Sequence, residues 1–95
     1  MNVAEQFGEN LARIRREADV GQDELAVRAS VHRTESSQLE RGLRVARIDT
    51  LVKLAASLEA TPAELLVGIE WTPGEQRQGR FFDGAKNGPM RRFRC

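Results

Sequence analysis

Among 95 residues there is one cysteine, Cys95 at the last position, and one histidine, His32. A lone cysteine closes no internal disulfide, so the chain must hold itself together by burial, and a reducing compartment is expected. One histidine, one terminal thiol and scattered carboxylates give no metal-ligand spacing and no nucleophile beside its base. No catalytic residue, metal site or cofactor is therefore nominated, and the enzyme class is set aside; His32 reads as a partly exposed side chain. Nothing approaches the roughly 18 uninterrupted apolar residues of a spanning helix, and the opening MNVAEQFGEN has no basic segment followed by an apolar one. No membrane partner is expected, and the chain reads as cytoplasmic. Internal repeats, low-complexity runs and convincing period-two alternation before residue 70 are also missing, which disfavours strands there.

What is present is an ordinary soluble composition, 40% hydrophobic and 31% charged. A chain of this size fits one small domain with one core, burying about 60 to 65% of the surface it exposes when unfolded. The net charge is only +1, but it is unevenly spread. Between Arg28 and Arg47 five arginines face two acids, and from Glu70 onward six basic residues face three acids, a local net of +3 in each stretch. Such patches are an electrostatic footprint for phosphates, with a solvated surface as the alternative.

Val3, Phe7, Leu11, Ile14 and Ala18 recur at helical spacing, with Glu5, Glu9, Arg13 and Arg16 off the stripe, so residues 3–18 read as an amphipathic helix. After Gly21, residues 22–29 start with Asp23 and Glu24, which suit a helix N-terminus, and then present Leu25 and Ala26 to a core. A third helix is expected over 33–41, stopped by Gly42, and a fourth over 49–58 with Leu51, Leu54, Ala55 and Leu58 on one side. Thr61-Pro62-Ala63-Glu64 combines an N-cap, a proline at the first helical position and the glutamate of a capping box, so a fifth helix starts there. From Pro73 the texture turns to prolines, glycines and basic residues, a poor core former. The boundary falls near Trp71, giving a domain over 1–71 and a basic tail over 72–95. Within the tail, GRFFDG hints at a short strand, and Phe81, Phe82 and Phe93 could form a hairpin, add to a dimer or stay mobile.

Residues 31–42 read VHRTESSQLERG, with Val31 and Leu39 the only large apolar side chains. Two short helices joined by about three residues make a helix-turn-helix, whose first helix crosses a DNA backbone while the second enters the major groove. A groove-reading helix needs one face for the core and one for base edges. Val31 and Leu39 serve the core; Arg33, Thr34, Ser37 and Gln38 share the outward side. Arg33 suits guanine, Gln38 adenine, and the Thr34 methyl a thymine methyl, each good bidentate contact discriminating by about 1 to 3 kcal/mol. Arg41, Arg44 and Arg47 follow where the chain would run beside the sugar-phosphate backbone and are the candidate phosphate contacts.

QDELA at 22–26, LERG at 39–42, IDTLVKLAASL at 48–58 and the PAELL that follows stand in this order at these spacings. From about Leu11 to Leu66 the chain resembles the Cro and phage-repressor helix-turn-helix family, also called the xenobiotic-response-element type. The resemblance implies an all-α, compact five-helix lambda-repressor-like domain with its helix-turn-helix over 22–41. It gives Gln22 a bond to a backbone phosphate and pairs Arg15 of the first helix with Glu40, which would fix the tilt of the reading helix. The alternative for Arg15 and Glu40 is an ordinary surface ion pair worth about 0 to 1 kcal/mol.

Several positions depart from the family pattern. Ser30 replaces a glycine in the turn, at a cost of about 1 kcal/mol if a positive φ is needed there. Ser36 replaces a branched apolar residue that seals the reading helix to the core; a bond from its hydroxyl to the His32 carbonyl would compensate, and Ser36→Ile should stabilise the fold. His32 is an indifferent helix cap, and Ala46 replaces a frequent proline. A domain of this type reads half a site, so a homodimer on a palindromic operator is expected, with Leu66, Val67, Ile69 and Trp71 the candidate contacts. The function expected is that of a sequence-specific repressor or autoregulator bound to double-stranded DNA in the nucleoid. General bacterial regulator, phage or plasmid repressor, restriction-modification controller, which the HRT at 32–34 also resembles, and antitoxin stay open within this class. A protein-interaction adaptor keeping the fold is the reading of another class. The tail leaves no room for a sensor domain, so no small-molecule effector is expected.

Overall fold

A computed structural model of the chain describes residues 1–74 and 79–81. Five helices, Val3–Glu17 (α1), Gln22–Ala29 (α2), Arg33–Glu40 (α3), Ile48–Ser57 (α4) and Pro62–Leu65 (α5), precede an antiparallel pair of two-residue strands, Trp71–Thr72 (β1) and Arg80–Phe81 (β2). The fold is all-α apart from that pair, whose second strand lies within the GRFFDG segment. Phe82, Phe93, Cys95 and the basic residues of the tail other than Arg80 lie outside the described residues.

Each helix contributes one fully buried leucine: Leu11, Leu25, Leu39, Leu54 and Leu65 are all 0% exposed. Phe7, Val20, Ala29, Ala55 and Leu58 complete the cluster, with Ile14, Val31, Leu51 and Ile69 packed half-buried against it. The expected α1 stripe holds as far as Ile14. Ala18 is exposed, because the helix ends at Glu17 and the chain turns away through Asp19. Capping boxes start α1, with Asn2 and Glu5 satisfying each other's backbone N–H groups, and α5, with Thr61 and Glu64 doing the same ahead of Pro62. No side-chain cap bonds the starts of α2, α3 and α4, where Gly21, His32 and Arg47 stand.

The first four helices close alike. Asp19, Ser30, Gly42 and Glu59 take left-handed backbone angles, with φ of 61°, 58°, 74° and 57°. The next residue donates its N–H five positions back: Val20 to Arg15, Val31 to Ala26, Leu43 to Gln38 and Ala60 to Ala55, at 2.9–3.2 Å. Only Gly42 has the residue that adopts this geometry freely. The turn does require a positive φ at Ser30, and a side chain there costs about 1 to 2 kcal/mol.

The backbone of α3 comes close to α1 at Gly8. Gly8 is buried where α1 meets the end of α3: a Cβ on it would stand 2.5 Å from the Leu39 carbonyl oxygen and 2.6 Å from that of Glu40. Ser36 is fully buried too, and its hydroxyl has no hydrogen-bond partner among the described residues. The expected bond to the His32 carbonyl is not made; that oxygen takes the Ser36 backbone N–H at 3.0 Å instead. In the middle of α1 the buried Asn10 amide donates to the carbonyls of Leu65 and Val67, at 2.9 and 2.8 Å, fastening α5 to α1.

Two substitutions test this account. Ser36→Ala removes an unpaired buried hydroxyl at nearly constant volume and should stabilise the domain by about 1 kcal/mol, raising Tm by about 4 to 8 °C. Gly8→Ala should destabilise it by about 2 kcal/mol or more although alanine is the better helix former, because the methyl must push α3 away. Thermal and urea unfolding of both variants decide; a Gly8→Ala protein of unchanged stability would contradict the close approach of α1 and α3.

Candidate nucleic-acid interface

Ser30, Val31 and His32 alone separate α2 from α3, so the two helices form a short-turned pair with both N-termini near one surface. Along α3, Ser36 and Leu39 are fully buried, Arg33 and Thr34 are exposed, and Ser37 and Gln38 are half-buried on the opposite side. The four candidate base-reading residues therefore share one outward face of a helix anchored by Leu39.

A chain of polar contacts fixes that helix. The Arg15 guanidinium grips the Glu40 carboxylate at two points, Nε to Oε2 at 2.5 Å and Nη2 to Oε1 at 3.1 Å, and its Nη1 donates to the Val20 carbonyl at 3.0 Å. The two side chains are only 12% and 5% exposed, so this is a buried fork rather than the surface pair that was the alternative. The Gln22 Nε2 also donates to Glu40 Oε1 at 2.9 Å, and Gln22 Oε1 accepts from Arg33 Nη2 at 3.1 Å. Arg33 Nε in turn meets Asp23 Oδ1 at 2.8 Å. The network thus runs from the end of α1, through the last residue of α3, to the first residues of both α2 and α3.

Gln22 lies at the N-terminus of α2 with both ends of its amide engaged; one of its two N–H hydrogens suffices for Glu40, leaving the other for an oxygen outside the protein. Arg44 folds back so that its Nη1 donates to Gln38 Oε1 at 3.1 Å, and Arg47 pairs with Asp49 at 3.1 Å. Arg41 is exposed and enters no ion pair among the described residues. Arg28, counted in the basic stretch, points the other way, bonding Glu24 and the Ser57 carbonyl at the end of α4.

The four apolar dimer candidates lie beyond the helix-turn-helix. Val67 and Trp71 are about half exposed, Leu66 is 38% exposed, and Ile69 packs half-buried on the core. Trp71 meets Phe81 edge-on across the hairpin, ring centres 5.1 Å apart, and both rings remain half exposed. Phe81, Leu66, Val45, Leu51, Phe7 and Val3 border an apolar recess of about 220 Å³. Among the described residues no group of histidine, cysteine and carboxylate side chains could hold a metal ion, and no helix is long and apolar enough to cross a membrane.

Sequence reasoning missed Asp23 as a partner of Arg33, having placed it as a helix-dipole residue, and missed Gly8 and Asn10. Each acts through a partner supplied by another part of the fold. Only the acid-then-arginine pairing of Asp23 and Arg33, flanking a short turn, offered a hint.

A family model described as a helix-turn-helix domain matches residues 6–66. The HTH-type transcriptional regulator y4dJ of Sinorhizobium fredii is 36% identical over 73 residues, 77% of this chain and 95% of the relative. Control protein C.BamHI of Bacillus amyloliquefaciens is 33% identical over 66 residues, 68% of this chain and 82% of its own. Among solved structures, the restriction-modification controller C.AhdI of Aeromonas hydrophila matches with a TM-score of 0.64 and 31% identity, covering 65% of this chain and 94% of that one. SinR, a master regulator for biofilm formation solved in complex with DNA, matches with a TM-score of 0.61 and 31% identity, covering 63% and 97%.

The buried fork gives a direct test. Glu40→Ala leaves the Arg15 guanidinium buried without its counter-charge and should cost about 3 kcal/mol or more, read by urea denaturation. An Arg15→Met, Glu40→Leu double variant should recover most of that loss, since neither charge then needs a partner. Equal loss in both proteins would show that the pair is not the source of the stability.

Proposed function

The chain belongs to the helix-turn-helix domain family, and on that premise we propose that it is a sequence-specific transcriptional regulator that binds double-stranded DNA as a homodimer. The observation that carries this is the polar outer face of α3: four side chains able to read base edges stand on a helix whose tilt is fixed by the buried Arg15–Glu40 fork. In this reading α3 enters the major groove, where Arg33 contacts guanine, Gln38 adenine, and Thr34 and Ser37 the neighbouring edges. Gln22, Arg41, Arg44 and Arg47 hold the phosphates on either side. Arg44 and Arg47 first leave the half-buried Gln38 and the exposed Asp49, single contacts that an exchange for phosphate readily replaces.

The half-exposed Leu66, Val67 and Trp71, with Ile69 beneath them, provide the surface on which two copies meet, so that two α3 helices face successive turns of a palindromic operator. The site of action is the nucleoid, in the cytoplasm of a bacterium, and occupancy of the operator makes the protein a repressor or autoregulator. Control of a restriction-modification operon is the narrower reading within this class. It is favoured by two controllers of which the chain covers 82% and 94% of the length.

Selection of bound duplexes from a random pool tests the proposal. The expected product is an inverted repeat whose half-site centres lie about 34 to 36 Å apart. With Arg41, Arg44 and Arg47 on phosphates in each subunit, about six cationic contacts per dimer, log affinity should fall against log salt with a slope near −5. No enriched sequence and a slope near zero would remove the DNA reading, and an enriched single half-site would remove the dimer.

A further inference from the structure

We propose that Asp23, on α2, is a specificity-determining positioning residue: its carboxylate orients the Arg33 guanidinium on α3 so that one defined edge meets the DNA base. The inference rests on the reading of Arg33 as a base-contacting residue and adds to it what aims that side chain. Two consecutive residues of α2 hold the same guanidinium at two different nitrogens. Asp23 Oδ1 lies 2.8 Å from Nε, and Gln22 Oε1 accepts from Nη2 at 3.1 Å. These nitrogens form the side edge of the planar group. The end edge, made of Nη1 and the second hydrogen of Nη2, has no partner among the described residues. A guanine O6 and N7 pair takes two parallel donors, so the end edge is the one presented to the groove.

The arrangement has a chemical logic specific to binding. A guanidinium has five N–H donors and a guanine edge satisfies two, so the remaining donors need acceptors once the groove has excluded water. Asp23 places a carboxylate oxygen 2.8 Å from Nε as an ion pair, within reach of that need from inside the protein. Gln22 supplies another and is itself tied to Glu40 at 2.9 Å, so the aim of Arg33 is referred back to the buried fork rather than to a freely rotating side chain. In the unbound protein the pair is exposed, Arg33 by 57% and Asp23 by 83%, and water loosens it. Base contact should tighten it.

The same carboxylate stands beside the phosphates that Gln22 would approach, and its charge repels them whatever the sequence. Asp23 therefore acts in opposite directions on the two modes of binding, strengthening discrimination at one base pair while weakening sequence-independent attachment. A role confined to the helix dipole predicts no effect on base preference.

The experiment measures wild type, Asp23→Ala, Asp23→Asn and Arg33→Ala against a duplex selected from a random pool with wild-type protein, its single-base variants, and an unrelated duplex of the same length, after circular dichroism shows equal helix content. Arg33→Ala should abolish the preference at one guanine. Asp23→Ala should reduce that same preference by about fivefold or more, within the range a bidentate contact supplies, while binding to the unrelated duplex rises. Asp23→Asn keeps an acceptor oxygen without the charge, and should show the rise with the preference largely retained. If Arg33→Ala loses the guanine preference and Asp23→Ala keeps it in full, the positioning role is overturned and the reading of Arg33 stands. If Arg33→Ala leaves every base preference unchanged, both fall.

Discussion

The buried Glu40 carboxylate is the constraint on which the arrangement of the helices turns. It sits at the C-terminus of α3, where the helix dipole is negative and a carboxylate is ordinarily disfavoured by about 0.3 to 1 kcal/mol. It is nearly inaccessible to water, which compounds the cost. What reverses the balance is the Arg15 guanidinium, which brings two charge-assisted bonds to the carboxylate and places a cation at the negative end of the helix. Because Arg15 also holds the Val20 carbonyl and Glu40 also holds Gln22, one ion pair fixes the end of α1, the turn that follows it, the start of α2 and the end of α3. Gly8 lets the α3 backbone come near enough to α1 for that grip to form.

Rigidity along α3 is therefore uneven. Its C-terminal half is held by Leu39 in the core, by the fork on Glu40 and by the left-handed closure at Gly42. Its N-terminal half has no side-chain cap at His32, and Ser36, in the middle, buries a hydroxyl without a partner. An unpaired buried hydroxyl forfeits about 1 to 3 kcal/mol relative to a satisfied one. Arg33 and Thr34 project from the looser half, and Arg33 depends for its placement on its contacts with Gln22 and Asp23 of α2, whereas Gln38 lies over the firmly held half.

The elements that could be read from the chain are those written in local terms. The α2 boundaries, the α3 start at Arg33 and the Thr61–Glu64 box follow from residues within a few positions of one another, and the outer face of α3 follows from helical period alone. The resemblance to the repressor-type family added the Arg15–Glu40 pair, which no local rule would join across 25 positions. What stayed hidden depends on partners far away in sequence. Asn10 stands beside the apolar stripe of α1, three residues after Phe7 and four before Ile14, but what its amide bonds appears only when the carbonyls 55 and 57 positions later arrive over it. Gly8 reads as a weakness in a helix until the α3 carbonyls appear. Glu59 carries no mark of left-handed backbone, and Asp19 only the modest tolerance of aspartate for it, so these two turns are set by how the next helix packs rather than by the residue at the turn.

The charge pattern bears on how a nearly neutral chain would discriminate among DNA sequences. Sequence-independent attachment comes from cations that displace counterions on phosphates, and it competes at every site in a genome. Here Arg28, Arg33 and Arg47 each face a carboxylate of the same protein, leaving the net charge at +1. A phosphate must replace an existing partner before it gains such a cation, so the general attraction is muted. A base edge met by a side chain already aimed does not bear that cost to the same degree. On the proposed function, local pairing of arginines with acids therefore lowers the affinity for all DNA more than the affinity for the right DNA, and it is the ratio of the two that locates an operator.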